Sequence, residues 1–198
     1  LYVCNSGGYL VNQYDSTISV VDIHSMTEIK QIPVGLNPTR IRIDNAGKLW
    51  VCCQGDNTNQ NAQIVVLHNE QIIHRIPIHC SNISILDHSA YVIDKTNKQL
   101  LTISTIDYTI RNTSISLADY ENPYALLATP DALYVTDAKN YVSSGLLYCY
   151  DYDGTERWYA KTGDIPGHLC RVAGEYNLQG DTHPTDTTTT SAYIHRVY

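Results

Sequence analysis

The chain has 198 residues, 43% of them hydrophobic and 17% charged, with a formal net charge of −7. That is enough apolar material for one globular domain with a real core, and too much for a disordered chain. The acidic balance, with no basic stripe, argues against a nucleic acid tracked along its phosphates, so no nucleic-acid partner is expected. No apolar run approaches the about 18 residues that a membrane-spanning helix needs, so the chain has no transmembrane segment of that kind.

In chain order the first element is Leu1-Tyr2-Val3, a short apolar strand carrying an aromatic followed by Val. The same signature returns at Leu49-Trp50-Val51, Ala90-Tyr91-Val92 and Leu133-Tyr134-Val135. The aromatics lie 48, 41 and 43 residues apart, and a strand repeat of about 40–45 residues marks a β-propeller built of four-stranded antiparallel blades. Leu1 opens directly on a strand pattern, so no signal peptide is expected within these residues, and a removed one remains open.

The second repeat shows the unit. Pro38 to Asp44 alternates apolar and polar residues, and Asn45-Ala46-Gly47 turns the chain into a strand from Lys48 to Gln54. Further strands run from Gln63 to His68 and from Gln71 to Ile78. The third repeat is expected at Ile83 to Leu86, Ala90 to Ile93, Gln99 to Ser104 and Ile110 to Leu117, and the fourth begins at Tyr124. The repeats fall at about 1–37, 38–82, 83–123 and 124–167, followed by a partial blade at 168–198. Leu1 enters on a second strand, His168 to Val172 reads as a first strand without a full blade after it, and Ala192 to Tyr198 is a surplus strand. Closure into four blades is one possibility; the surplus strand favours a segment of a larger propeller.

Because successive strands alternate in direction, the first-to-second and third-to-fourth connections share one face of the disc. All of those are short. On the opposite face the second-to-third connections are long in three of four repeats: Asn5 to Ser16, Gln54 to Ala62 and Asp137 to Gly145, with Asp94 to Lys98 the short exception. Long loops in a compact domain are usually functional. This face carries Tyr9, Tyr14, Asn57, Asn59, Tyr120, Asn122, Lys139, Asn140 and Tyr141, and Tyr and Asn suit adaptable binding loops. Asp164 to His168 places His168 at the mouth of an inner strand beside the central channel.

Chemistry is less visible. The six cysteines, at 4, 52, 53, 80, 149 and 170, include no C-x-x-C pair, and packed thiols are expected, with any disulfide pairing left open. No His pairs by spacing with a carboxylate and a nucleophile. Asp151-x-Asp153-Gly154 reads as a turn, since a calcium loop needs a later Glu. No catalytic residue, metal site or cofactor is therefore assigned.

The segment from Leu1 to Val51, with its Tyr-Val strand, Val20-Val21-Asp22 and Ile32-Pro33-Val34-Gly35-Leu36-Asn37-Pro38, resembles the YVTN or YncE-like β-propeller repeat. Ser6 to Tyr9, Gln54-Gly55-Asp56, Asn122-Pro123-Tyr124, Thr136 to Tyr141 and Thr162 to His168 resemble segments of a Bacteroidetes family of cell-envelope propeller lipoproteins. That family includes the BtuG-type surface proteins that capture vitamin B12 for an outer-membrane transporter. The resemblance implies the C-terminal part of a propeller of about seven blades, a lipoprotein at the outer-membrane surface, a transporter partner, and a small or medium-sized ligand such as a corrinoid. With the loop argument, it gives Asn5, Tyr9, Tyr14, Gln54, Asp56, Asn122, Tyr124, Asp137, Lys139, Asn140, Tyr141 and His168 as candidate ligand-binding residues. A non-catalytic nutrient-binding protein is the expected function. A protein-interaction platform in an envelope complex and a propeller lyase or lactonase are the alternatives.

Overall fold

The computed structural model describes residues 1–8, 13–56, 60–172 and 192–193, and among them every regular element is a strand. A three-stranded sheet comes first: β1 (Tyr2–Asn5), β2 (Thr17–Asp22) and β3 (Thr27–Pro33). Three four-stranded antiparallel sheets follow, each in simple sequence order. They are β4 (Pro38–Ile43), β5 (Leu49–Cys53), β6 (Gln63–His68) and β7 (Gln71–Ile76); β8 (Cys80–Leu86), β9 (Ser89–Asp94), β10 (Gln99–Ser104) and β11 (Ile110–Ser116); and β12 (Pro123–Ala128), β13 (Leu133–Asp137), β14 (Leu146–Tyr150) and β15 (Glu156–Lys161). A last pair joins β16 (Cys170–Arg171) to β17 (Ala192–Tyr193). These are the blades of a partial β-propeller.

The cores lie between blades, which explains why the middle strands read as continuous apolar runs rather than alternating ones. Side chains alternate across β5. Trp50 and Cys52 pack toward blade 3 with Ile83 and Val92, while Leu49, Val51 and Cys53 pack toward blade 1 with Ile18 and Val20. Blades 3 and 4 meet over Ile93, Leu100, Leu126 and Leu133. Each fully buried aliphatic side chain contributes about 1.5–3 kcal/mol. Burial fades outward, and β15 is exposed along its whole length.

Several strand ends move by a residue or two, β7 stopping at Ile76 instead of Ile78 and β16 covering only Cys170–Arg171 of the expected His168 to Val172. Two further details differ from the sequence reading. The first strand of blade 3 starts at Cys80, not Ile83, because the polar Asn82 is buried with its needs met: its amide donates to Tyr124 O at 3.0 Å and its oxygen accepts from Ile83 N at 2.9 Å. At the C-terminal end β16 pairs antiparallel with β17, Cys170 opposite Tyr193. The surplus strand thus takes the edge that four-blade closure would have offered to β1. Residues 194–198 of that expected strand lie outside the described residues.

Candidate functional site

The inner strands β4, β8 and β12 all begin on the long-loop face, and each loses register with its neighbour in its first residues. Pro38 faces Cys53 and Arg40 faces Cys52, leaving Thr39 unpaired. Cys80 faces Asp94 and Asn82 faces Ile93, leaving Ser81 unpaired. Pro123 faces Asp137 and Leu126 faces Val135, so that Tyr124 and Ala125 oppose Thr136 alone. Irregularities of this kind re-aim side chains and collect beside functional sites. Here Thr39, Ser81 and Tyr124 all line one cavity of about 360 Å³ between blades 2, 3 and 4.

Around the three sit Arg40, Gln54, Lys95, Lys98, Glu121, Asn122, Pro123 and Tyr141. The lining holds three cations and one carboxylate, a net charge of +2 in a chain of net −7. Among the described residues none of Arg40, Lys95 and Lys98 has a carboxylate within ion-pair distance. Arg40 donates to Thr39 O at 3.0 Å and Lys98 to Tyr120 O at 2.8 Å, so backbone carbonyls, not carboxylates, hold these two in place. Ser81 Oγ is a buried side-chain oxygen without a hydrogen-bond partner. A buried polar group left unpaired within the protein is costly, and a water molecule is its simplest partner.

The walls are tightly held. The Gln54 amide donates to Cys80 O, bridging blades 2 and 3, and reaches Thr39 Oγ1 at 3.3 Å. His79 Nε2 meets Gln54 Oε1 at 3.0 Å. Burial, with help from Lys95, holds the His79 ring below its ordinary value of 6.5.

On the other side Asp137 is wholly buried. It accepts N–H groups from Glu121 at 3.0 Å, Asn122 at 2.8 Å and Lys139 at 2.9 Å, and pairs with Lys139 Nζ at 3.0 Å. Burial raises this carboxyl, but those donors and the ammonium outweigh it and leave it below its ordinary value of 3.8. The same loop puts Lys139 and Tyr141 at positive φ, 49° and 64°, a conformation that non-glycine residues rarely adopt. It sets the Tyr141 ring edge-on to Tyr124, 5.8 Å between centroids and 76° between planes.

Of the residues the sequence singled out, Gln54, Asn122, Tyr124 and Tyr141 line the cavity. Asp137 and Lys139 lie behind the lining and shape it. The other described ones do not join it. Asn5 ties β1 to β2 through Thr17 Oγ1 at 3.0 Å and Ser19 Oγ at 2.8 Å. Asn140 folds its own loop, accepting from Val142 N at 3.0 Å and Ser143 N at 2.8 Å. Asp56 accepts Gln60 N at 3.0 Å within its loop, and Tyr14 stands in the first long loop outside the lining. His168 is exposed and outside the lining, two residues before β16; it is Gly167 that comes up against the Tyr124 ring. Tyr120 is a core residue, 5% exposed, with its hydroxyl 2.7 Å from that of Tyr150. Tyr9, Asn57 and Asn59 lie outside the described residues.

The sequence reading missed Arg40, Ser81, Lys95, Lys98 and Glu121. Lys95 and Lys98 belong to the one short loop of that face, which length had set aside. The available signal was the repeat itself, since Thr39, Ser81 and Tyr124 recur at intervals of 42 and 43 residues.

Among the described residues no three His, Cys, Asp or Glu side chains are gathered as a metal set. The Asp151 to Gly154 segment is a turn, with Gly154 N on Asp151 O at 3.0 Å and Arg157 paired to Asp151.

No protein-family model and no curated protein matches the sequence. Solved structures do. The chain is similar to hydrazine synthase from Kuenenia stuttgartiensis, with a TM-score of 0.62 and 18% identity over 80% of this chain and 46% of that one. It is similar to the calcium-binding protein regucalcin from Agrobacterium tumefaciens, with a TM-score of 0.59 and 13% identity over 77% of this chain and 55% of that one. A protein from Lactobacillus plantarum gives 0.56 and 14% over 80% and 54%. At these identities the likeness shows the fold alone, a β-propeller. The chain spans about half the length of each.

Proposed function

We propose that this chain is the ligand-holding part of a non-catalytic binding propeller, and that the ligand presents an anionic group to the cavity between blades 2, 3 and 4. The observation that carries the reading is that Arg40, Lys95 and Lys98, none of them ion-paired among the described residues, line one cavity with a single carboxylate, Glu121, in an acidic protein. Tyr124 and Tyr141 add aromatic surface at the same opening. A cavity of this size is at the small end for ligand sites, which run to about 300–1,000 Å³. A ligand as large as a cobamide enters it with one portion only, and the phosphodiester within the nucleotide loop of a cobamide is a portion of the right charge. The resemblance to cell-envelope lipoproteins supports capture at the outer-membrane surface and transfer of a nutrient to a transporter.

Calorimetric titration of the chain with cyanocobalamin, with a second cobamide, and with inorganic phosphate and citrate tests the reading. Saturable heat with at least one of these, weakened by added salt, is the expected result. Heat with phosphate or citrate but none with the cobamides keeps the anion site and removes the corrinoid. Silence from all four at micromolar protein overturns the proposal.

A further inference from the structure

Independently of any ligand, we propose that Cys52 and Cys80 form a disulfide that staples blade 2 to blade 3 beneath the cavity. In the structure both are free thiols, as the sequence suggests, but their Sγ atoms stand 2.8 Å apart, closer than two non-bonded sulfur atoms rest in contact. Both residues are fully buried in the same inter-blade core. They belong to different sheets, so the bond would join blades rather than repeat a register already fixed by backbone pairing. The other sulfurs are placed differently. Cys53 faces the opposite side of β5 toward Gly35 and blade 1, and Cys149 packs at the far side of blade 4 with Ala132 and Tyr134.

The position gives the cross-link a structural purpose. Cys80 O is the acceptor of the Gln54 amide, and Ser81 follows directly. A bond from Cys52 to Cys80 fixes the distance between the cavity wall made by Thr39 and Gln54 and the wall made by Ser81 and Lys95. Burial pushes the Cys52 thiol well up, which withholds the thiolate from exchange in the folded state. Formation therefore belongs to folding, before the blades close, and the finished bond is shielded from reductant.

The oxidant is a small-molecule disulfide, for which glutathione disulfide serves. One Cys thiolate attacks a glutathione sulfur, forming a mixed disulfide and expelling a glutathione thiolate. The second Cys thiolate attacks the protein sulfur of that mixed disulfide and expels the other glutathione. The two protons lost by the cysteines end on two glutathione thiols, and the two electrons reduce the glutathione disulfide.

The whole chain, refolded with reduced and oxidised glutathione, is denatured with iodoacetamide and without reductant, then weighed and mapped. Four of the six cysteines should be alkylated, and the linked peptide should join Cys52 to Cys80. Prior reduction should make all six reactive and lower the melting temperature by about 5–10 °C. Cys53→Ser should keep the bond and Cys52→Ser should lose it. Six alkylated cysteines without reductant, or a link between any other pair, overturns the proposal, and mapping of the unaltered chain decides it even if a variant fails to fold.

Discussion

His79 Nε2 stands 3.0 Å from Gln54 Oε1, and the rest of the network fixes which of the two donates. The Gln54 amide nitrogen is spent on Cys80 O and Thr39 Oγ1, so its oxygen accepts and His79 carries its proton on Nε2. The other ring nitrogen, 3.4 Å from Thr96 Oγ1, is an acceptor. A second proton would make Nδ1 a donor, which the Thr96 hydroxyl can turn to accept, so the cost lies in the added charge, which burial and then Lys95 oppose although Asp94 favours it.

This yields a pH dependence. A His whose folded pKa lies below 6.5 binds protons less readily folded than unfolded, so its stabilisation is complete above pH 6.5 and is lost as pH falls from there toward the folded value. Urea unfolding followed downward from about pH 7.5 should show falling stability below about pH 6.5. His79→Gln, which keeps a neutral hydrogen-bonding side chain, should flatten that slope; an unchanged slope would assign it to another group.

Asp137 should be the most sensitive polar position near the cavity. Its removal leaves the N–H groups of Glu121, Asn122 and Lys139 without their acceptor and the Lys139 ammonium without its partner. Asp137→Ala is expected to cost about 3–5 kcal/mol in equilibrium unfolding. Because this carboxyl sits below 3.8, its stabilisation is complete above pH 3.8 and disappears as pH falls toward the folded value. A loss of only a few tenths of a kcal/mol would mean that water replaces it.

Binding should separate from stability at the cavity lining. Arg40→Ala and Lys98→Ala should each weaken an anionic ligand by about 10- to 100-fold, the range for hydrogen bonds to charged groups. Tyr141→Ala should weaken it too while leaving the melting temperature within a few degrees, since that ring is 43% exposed. Ala46→Ser, in a turn on the opposite face, is the control and should leave affinity alone. Equal losses from the control and the lining variants would contradict the site.

Trp50 tests the blade core. It is fully buried and its indole N–H donates to Asp44 Oδ2 at 3.1 Å. Trp50→Ala should cost about 3–5 kcal/mol in denaturant unfolding, whereas Trp158→Ala, 40% exposed on β15, should cost far less.

The strands were legible where burial on both faces writes an unbroken apolar run, and Gln63–His68 and Gln99–Ser104 are found with the same bounds that the sequence suggests. Cys80–Leu86 was read too short because a satisfied buried Asn looks like a loop residue. At the cavity, the reading of that face found Tyr141 from its long loop and Asn122 from a blade-to-blade connection. It overvalued Asn5 and Asn140, whose amides are consumed by local backbone and hydroxyl groups, and Tyr120, whose hydroxyl is satisfied inside the core by another Tyr. Ser81 left no trace in the hydrophobic pattern, because a bulge shifts one residue out of a period that is itself only two residues long.

The irregular starts of β4, β8 and β12 have a consequence for how such a protein changes. Thr39, Ser81 and Tyr124 are released from pairing with the neighbouring strand while the residues after them resume it. The fold constrains the backbone at these three places and leaves the side chains comparatively open. On the proposed reading, ligand preference could therefore be rewritten one blade at a time, by single substitutions at equivalent positions, without disturbing the cores that hold the blades together.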